Sequence, residues 1–247
     1  SAGDFLRTLV LFFVNGKFLG MLTILFGVGM ELKYRQAMRK QAPWPGAYLW
    51  ICLFLFLEGF IHFSLVMEYD ILMSYAVTAA IAAFIVRGGD RRVNRVLKGL
   101  GGVYAGLMLA VLALEAWLKV SGANLSFGDM SSVAALYRDG SWPEQVVYRL
   151  ANFALLRIEA IMVIPLNLIL FLLGIRLMRA GAFAPDERGR RIRRRMLRIG
   201  LGLGVPLNLL LFLPEGGFDL SVRYLFAPVL SIGYMALIAR LVERSEH

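Results

Sequence analysis

The sequence predicts an all-α, polytopic membrane protein. One domain over residues 1–247 would hold about seven transmembrane helices, with an interfacial helix near the N-terminus. Three observations carry this. The chain is 59% hydrophobic and 18% charged, with a mean hydropathy of +0.67, whereas soluble domains carry about 25% charged residues. Its apolar runs approach the ~20 residues a bilayer requires. Its basic residues gather in alternating connections, the pattern of cytoplasmic loops. Such hydrophobicity excludes disorder. The single cysteine, Cys52, excludes an intrachain disulfide, and two histidines leave little for a His/Cys zinc site.

Residues 4–14 (DFLRTLVLFFV) read as the interfacial helix, leading into Asn15-Gly16. Spans are expected at about 18–32, 47–66, 71–86, 99–118, 159–175, 199–213 and 225–241. Run length makes them helices, and no ten-residue alternating segments suggest barrel strands. The connection 124–157 is the longest. In it Asp139-Gly140-Ser141 forms a turn, and Ser141 caps a helix with Pro143 in its first turn and Glu144 three residues on.

Charge orients the spans. Lys33, Arg35, Arg39 and Lys40 fill the first basic loop, and Arg87, Arg91, Arg92, Arg95 and Lys98 the second. Nine arginines between Arg176 and Arg198 fill the third, and Arg240 and Arg244 follow the last span. Twenty of the 27 basic and six of the 17 acidic residues thus lie on one side, a net +14 that leaves −4 elsewhere. The positive-inside rule makes that side cytoplasmic. Ser1 then falls outside and His247 inside, so the 247 residues are expected to be a piece of a longer protein. The basicity reads as topology and contact with membrane lipids. No nucleic-acid partner is expected, since no recognition module accompanies it.

Intramembrane charges are costly, and so are functional candidates. Glu58 and His62 stand at i and i+4 in the second span, near one helical face. Asp70 follows where the chain turns back, and Tyr75 lies one turn further on. A carboxylate on one imidazole nitrogen fixes the tautomer and raises the basicity of the other. The cluster reads as a general base, as a hydrogen bond between helices, or as a proton relay. Lys17 either snorkels to headgroups or turns inward as a cation for an anionic substrate. Arg149 and Arg157, eight residues apart, pair either with Glu144, Glu159 or lipid, or with a ligand carboxylate or phosphate. Asn167 after Pro165 and Asn208 after Pro206 mark kinks, where the amide serves a freed carbonyl or reaches a substrate. Gly20, Gly27 and Gly29, and the set Gly99, Gly101, Gly102 and Gly106, suggest close helix approach. The run 188–198 reads as an anchor on anionic lipid or as a phosphate cradle.

Several of these residues fall in stretches that resemble a bacterial family. Asn15-Gly16-Lys17-Phe18 followed by Leu25-Phe26-Gly27-Val28-Gly29 is similar to the G-K-F…L-F-G-x-G stretch of the YeiB-like membrane proteins. Gly59-Phe60-Ile61-His62, then Asp70-Ile71-Leu72 and Tyr75-Ala76, resembles their G-x-x-H…D-I-L-x-x-Y-A stretch. Weaker echoes are Leu173-Gly174 with Arg179 and Gly181, and Gly204 with Pro206 and Asn208. The family's first helix and its later C-terminal helices have no counterpart here. The resemblance implies a multi-pass protein of the bacterial inner membrane, loosely grouped with transmembrane acyltransferases. It further implies acyl-coenzyme A as a cytosolic donor, no metal, and an acyl acceptor at the outer face. His62 would be the base, with Glu58 and Asp70 orienting it, and Lys17, Tyr75, Arg149, Asn167 and Asn208 near the substrate. A proton-coupled carrier and a structural membrane subunit are the other classes the sequence admits.

Overall fold

A computed structural model of the chain describes residues 16–122, 131–212 and 218–245. It is 86% helical, with no strand among the described residues. The expected interfacial helix at 4–14 lies outside those residues, as does His247. In chain order the helices are α1 (Lys17–Arg39), α2 (Tyr48–Leu65), α3 (Leu72–Arg87), α4 (Gly89–Ser121), α5 (Ser131–Asp139), α6 (Trp142–Ala151), α7 (Phe153–Leu156), α8 (Ile158–Met162), α9 (Ile164–Ala180) and α10 (Glu187–Asn208). A 3-10 turn (Leu209–Phe212) follows, then α11 (Asp219–Ser221), a π turn (Val222–Phe226) and α12 (Ala227–Ser245).

Among the described residues three helices are long and apolar enough to cross a membrane: α2, α4 and the continuous stretch Asp219–Glu243. The other four expected spans fall on helices of a different kind. The helix α1 carries Glu31 and Lys33, α3 and α9 have 16 and 17 residues, and the arginines occupy the first half of α10.

The bundle is built on two close crossings, α1 on α9 and α10 on α12, with α2 on α3 and α3 on α9 completing it. Glycine makes both crossings. A Cβ on Gly27 would overlap the Phe171 carbonyl, and one on Gly174 the Ile24 carbonyl. Gly200 lies against Gly233, and Gly204 against Leu230, in the same way. Without a side chain, backbones approach closely and gain dispersion contacts. Gly29, Gly99, Gly101, Gly102 and Gly106 have nothing within 4 Å of a built Cβ. The seam expected on α4 is therefore unused among the described residues, and none of that helix's apolar stretch is buried.

Charge is organised at two ends. At the arginine-rich end the buried Glu31 pairs with Arg35 at 2.8 Å and Arg179 at 2.9 Å. Arg179 also reaches Asp90 at 2.6 Å. Arg193 is buried, donating to the carbonyls of Ala182 and Ala184 at 2.7 and 2.9 Å and pairing with Glu243 at 2.7 Å. Part of the arginine run thus holds helices together, while Arg188, Arg191, Arg194, Arg195 and Arg198 stay exposed.

At the other end, side chains from 142–157 close the C-terminus of α2. A helix leaves its last carbonyls unpaired, and donors or cations there are favourable. Trp142 Nε1 donates to Leu65 O at 2.8 Å, and Arg149 Nε to Ser64 O at 3.0 Å. Arg157 donates to Glu68 O at 3.2 Å and Asp70 O at 2.9 Å. The capping box is present: the Glu144 carboxylate accepts from the Ser141 N–H and hydroxyl, both at 2.7 Å. These bonds hold the Glu144 carboxyl below its ordinary value. A depressed folded pKa gives stability that is present above the ordinary carboxylate value and lost as pH falls through the folded one. Protection of the amides at the start of α6, relative to their intrinsic exchange at each pH, is therefore expected to fall on acidification in the wild type. A Glu144→Gln chain should lose that dependence.

Candidate functional site

A cavity of about 150 Å³ opens where α1, α3, α8, α9 and the π turn meet. One wall is apolar, with Leu19, Val163, Leu166, Leu170 and Pro228. The other is polar. Thr23 projects from α1 and Tyr75 from α3, and their hydroxyls are 2.7 Å apart. Thr23 donates to Leu19 O at 2.7 Å, and Tyr75 lies 3.1 Å from the same carbonyl. Asn167 sits on the first turn of α9, set by the helix restart at Pro165. It is 5% exposed, lines the cavity, and its amide makes no side-chain hydrogen bond among the described residues. Glu159 pairs with Arg223 at 2.9 Å and also accepts from the Tyr224 hydroxyl. Arg223 and Tyr224 come from the π turn, a geometry often found at functional sites.

Asp70 joins this cavity to His62. Its carboxylate lies 3.5 Å from His62 Nδ1, a buried atom with no hydrogen-bond partner among the described residues. It also accepts from Met73 N–H at 3.1 Å and lies 3.7 Å from the Arg157 guanidinium. The Asp70 side chain is 1% exposed and that of Arg157 5%, whereas His62 is 38% exposed. The result is a buried, positioned carboxylate beside an accessible imidazole. His62 itself is not part of the cavity wall.

The structure brings Asp70 to His62 and does not bring Glu58. Gly59 is the contact point of α2, against Met73 N and the Asp70 carboxylate. At about 100° per residue, His62 stands some 60° from that seam and Glu58 about 100°. Glu58 is exposed on the outer face of α2 and makes no bond with His62 among the described residues.

The remaining expected residues separate by role. Lys17 is buried at the start of α1, where Ser231 Oγ donates to its carbonyl at 2.7 Å. Arg149 is buried in the clamp on α2, and its two terminal nitrogens have no hydrogen-bond partner among the described residues. Burial and a 2.7 Å bond to Glu68 push Tyr137 up to about 12, opposed by the nearby Arg149 guanidinium. Asn208, at the end of α10 two residues after Pro206, donates its amide to Gly204 O at 2.7 Å and Phe226 O at 3.1 Å. It does not line the cavity. Thr23, Glu68, Glu159, Arg223 and Tyr224 were not singled out by sequence. Only the charges of Glu159 and Arg223, at the margins of apolar runs, gave a signal. Among the described residues no group of three or more His, Cys, Asp or Glu is placed to hold a metal.

The fold and site define a helical protein that carries helices long and apolar enough to cross a membrane and a cavity with one polar wall. Residues 177–247 match a family described as a protein of unknown function (DUF418). That match covers α10, α12 and the π turn, which contributes Arg223 and Tyr224 to the cavity lining. No curated protein and no solved structure matches the chain.

Proposed function

We propose that this chain belongs to a YeiB-like, seven-span protein of the bacterial inner membrane that transfers an acyl group to an acceptor at the outer face. The arginine-rich end would face the cytoplasm. The observation that carries the reading is the buried Asp70 carboxylate 3.5 Å from Nδ1 of an accessible histidine. With its proton on Nδ1, toward Asp70, His62 presents Nε2 as the free base. Nε2 takes the proton of the acceptor hydroxyl or amine, and the acceptor attacks the acyl carbonyl. The thioester C–S bond breaks, and the leaving thiolate recovers the proton from His62. Acyl-coenzyme A is the donor this requires, and the exposed arginines of α10 complement its phosphates.

The test is acyl transfer by full-length protein in lipid. General-base catalysis contributes about 10²–10⁴-fold, so His62→Ala should lose at least that lower factor. Asp70→Asn should lose activity with less change in acceptor binding. Full activity of His62→Ala would overturn the assignment. A proton-coupled carrier is favoured by one separate observation, the cavity beside the helix restart at Pro165. It predicts pH-dependent flux with no covalent product.

A further inference from the structure

We propose that the cavity between α1, α3, α8, α9 and the π turn is a binding site for a small primary ammonium ligand. The inference goes beyond acyl transfer and stands if that reading fails, because His62 is absent from the cavity wall.

Hydrogen-bond accounting carries it. Thr23 and Tyr75 own two hydroxyl protons. Thr23 gives one to Leu19 O at 2.7 Å, and Tyr75 directs the other to Leu19 O at 3.1 Å or to Thr23 at 2.7 Å. Ser74 gives its proton to Ile71 O at 2.8 Å. The three hydroxyls therefore offer the cavity lone pairs only. Charge points the same way. Glu68, Asp70 and Glu159 face Arg157 and Arg223 on the lining, a formal −1. Both arginines are already engaged, Arg157 with Asp70 and two carbonyls, Arg223 with Glu159. Hydroxyl lone pairs and a slightly negative wall favour a cation over an anion.

Asn167 is the independent observation. It is 95% buried, lines the cavity, and has no side-chain partner among the described residues. Its carboxamide is therefore open to a ligand, the oxygen to a ligand N–H and the amide protons to a ligand acceptor. The volume of about 150 Å³ is that of an apolar cavity able to take a six-carbon ring. An ammonium group against Asn167, Thr23 and Tyr75, with three to six carbons along Leu166 and Leu170, fills it.

The experiment is calorimetric titration of the full chain in detergent at pH 7 with butylammonium chloride, which is charged there because aliphatic amines titrate near 10.4. Sodium butyrate is the control of equal size and opposite charge. Saturable butylammonium binding at least tenfold tighter than butyrate is expected. Asn167→Leu should weaken it at least tenfold, Ala160→Phe should abolish it by filling the cavity, and His62→Ala should leave it within twofold. No saturable binding, equal binding of butyrate, or wild-type affinity in Asn167→Leu overturns the proposal. Thermal melting of each variant separates loss of the site from loss of the fold, and if Ala160→Phe does not fold, Asn167→Leu and Thr23→Val decide. Lost acyl transfer with retained amine binding in His62→Ala separates the two readings.

Discussion

A Gly27→Leu chain is expected not to bring α1 against α9. The Cβ it adds meets the Phe171 carbonyl oxygen, and the reciprocal position, Gly174, meets the Ile24 carbonyl. Both obstacles are backbone, so no rotamer change relieves them and the helices must separate. Overpacking costs about 1–3 kcal/mol where side chains can move, so a backbone collision belongs at or above ~3 kcal/mol. Separation would also disturb Thr23 and Tyr75, whose hydroxyl pair spans α1 and α3 beside this crossing. Gly29→Leu is the control, since nothing lies within 4 Å of its added carbon. Gly27→Leu should lose most of its monodisperse detergent-solubilised protein, with Gly29→Leu close to wild type. Equal recovery of the two would refute the close crossing.

Arg157→Met should be nearly as damaging, for an electrostatic reason. One guanidinium serves the carbonyls of Glu68 and Asp70, approaches the Asp70 carboxylate, and lies 5.0 Å over the Phe63 ring. Removing one partner of a buried pair leaves an uncompensated charge and costs about 3–5 kcal/mol. Arg157→Lys should recover only part of this, because an ammonium cannot bridge two carbonyls and stack on a ring together. Adding Asp70→Asn to Arg157→Met should restore part of the stability by removing the orphaned charge. Thermal unfolding of the four chains measures the coupling. Strict additivity would show that Arg157 and Asp70 do not act together.

Local chemistry was readable in the sequence wherever it depends on near neighbours. The capping box at Ser141 and Glu144, the i, i+4 bond of Asn208 to Gly204, and the nearness of His62 to Asp70 all follow from short spacings. The errors come from rotation and from long-range partners. The i, i+4 spacing of Glu58 and His62 gives a shared side of α2 but not the direction of the seam, and Gly59 sets that direction. Gly99–Gly106 and Gly200–Gly204 look alike as strings, yet only the second meets a facing helix, because contact requires Gly233 and Leu230 some thirty residues away. The cavity draws Thr23, Tyr75, Asn167 and Arg223 from segments up to 200 positions apart, and no local pattern links them. The arginine run 188–198 reads as a lipid anchor or a phosphate cradle, but Arg193 points inward to two carbonyls and Glu243.

The π turn at Val222–Phe226 sets the phase between two halves of one continuous helix. Five residues in place of the usual spacing insert an extra position, worth about 100° of rotation in an α-helix. Arg223 and Tyr224 can therefore look into the cavity while Leu230 and Gly233 look toward α10. With an uninterrupted α-helical phase, only one of these two faces would be aligned. Deleting a single residue within the turn would re-time the helix like a slipped gear tooth, leaving either the cavity wall or the glycine crossing facing the wrong way.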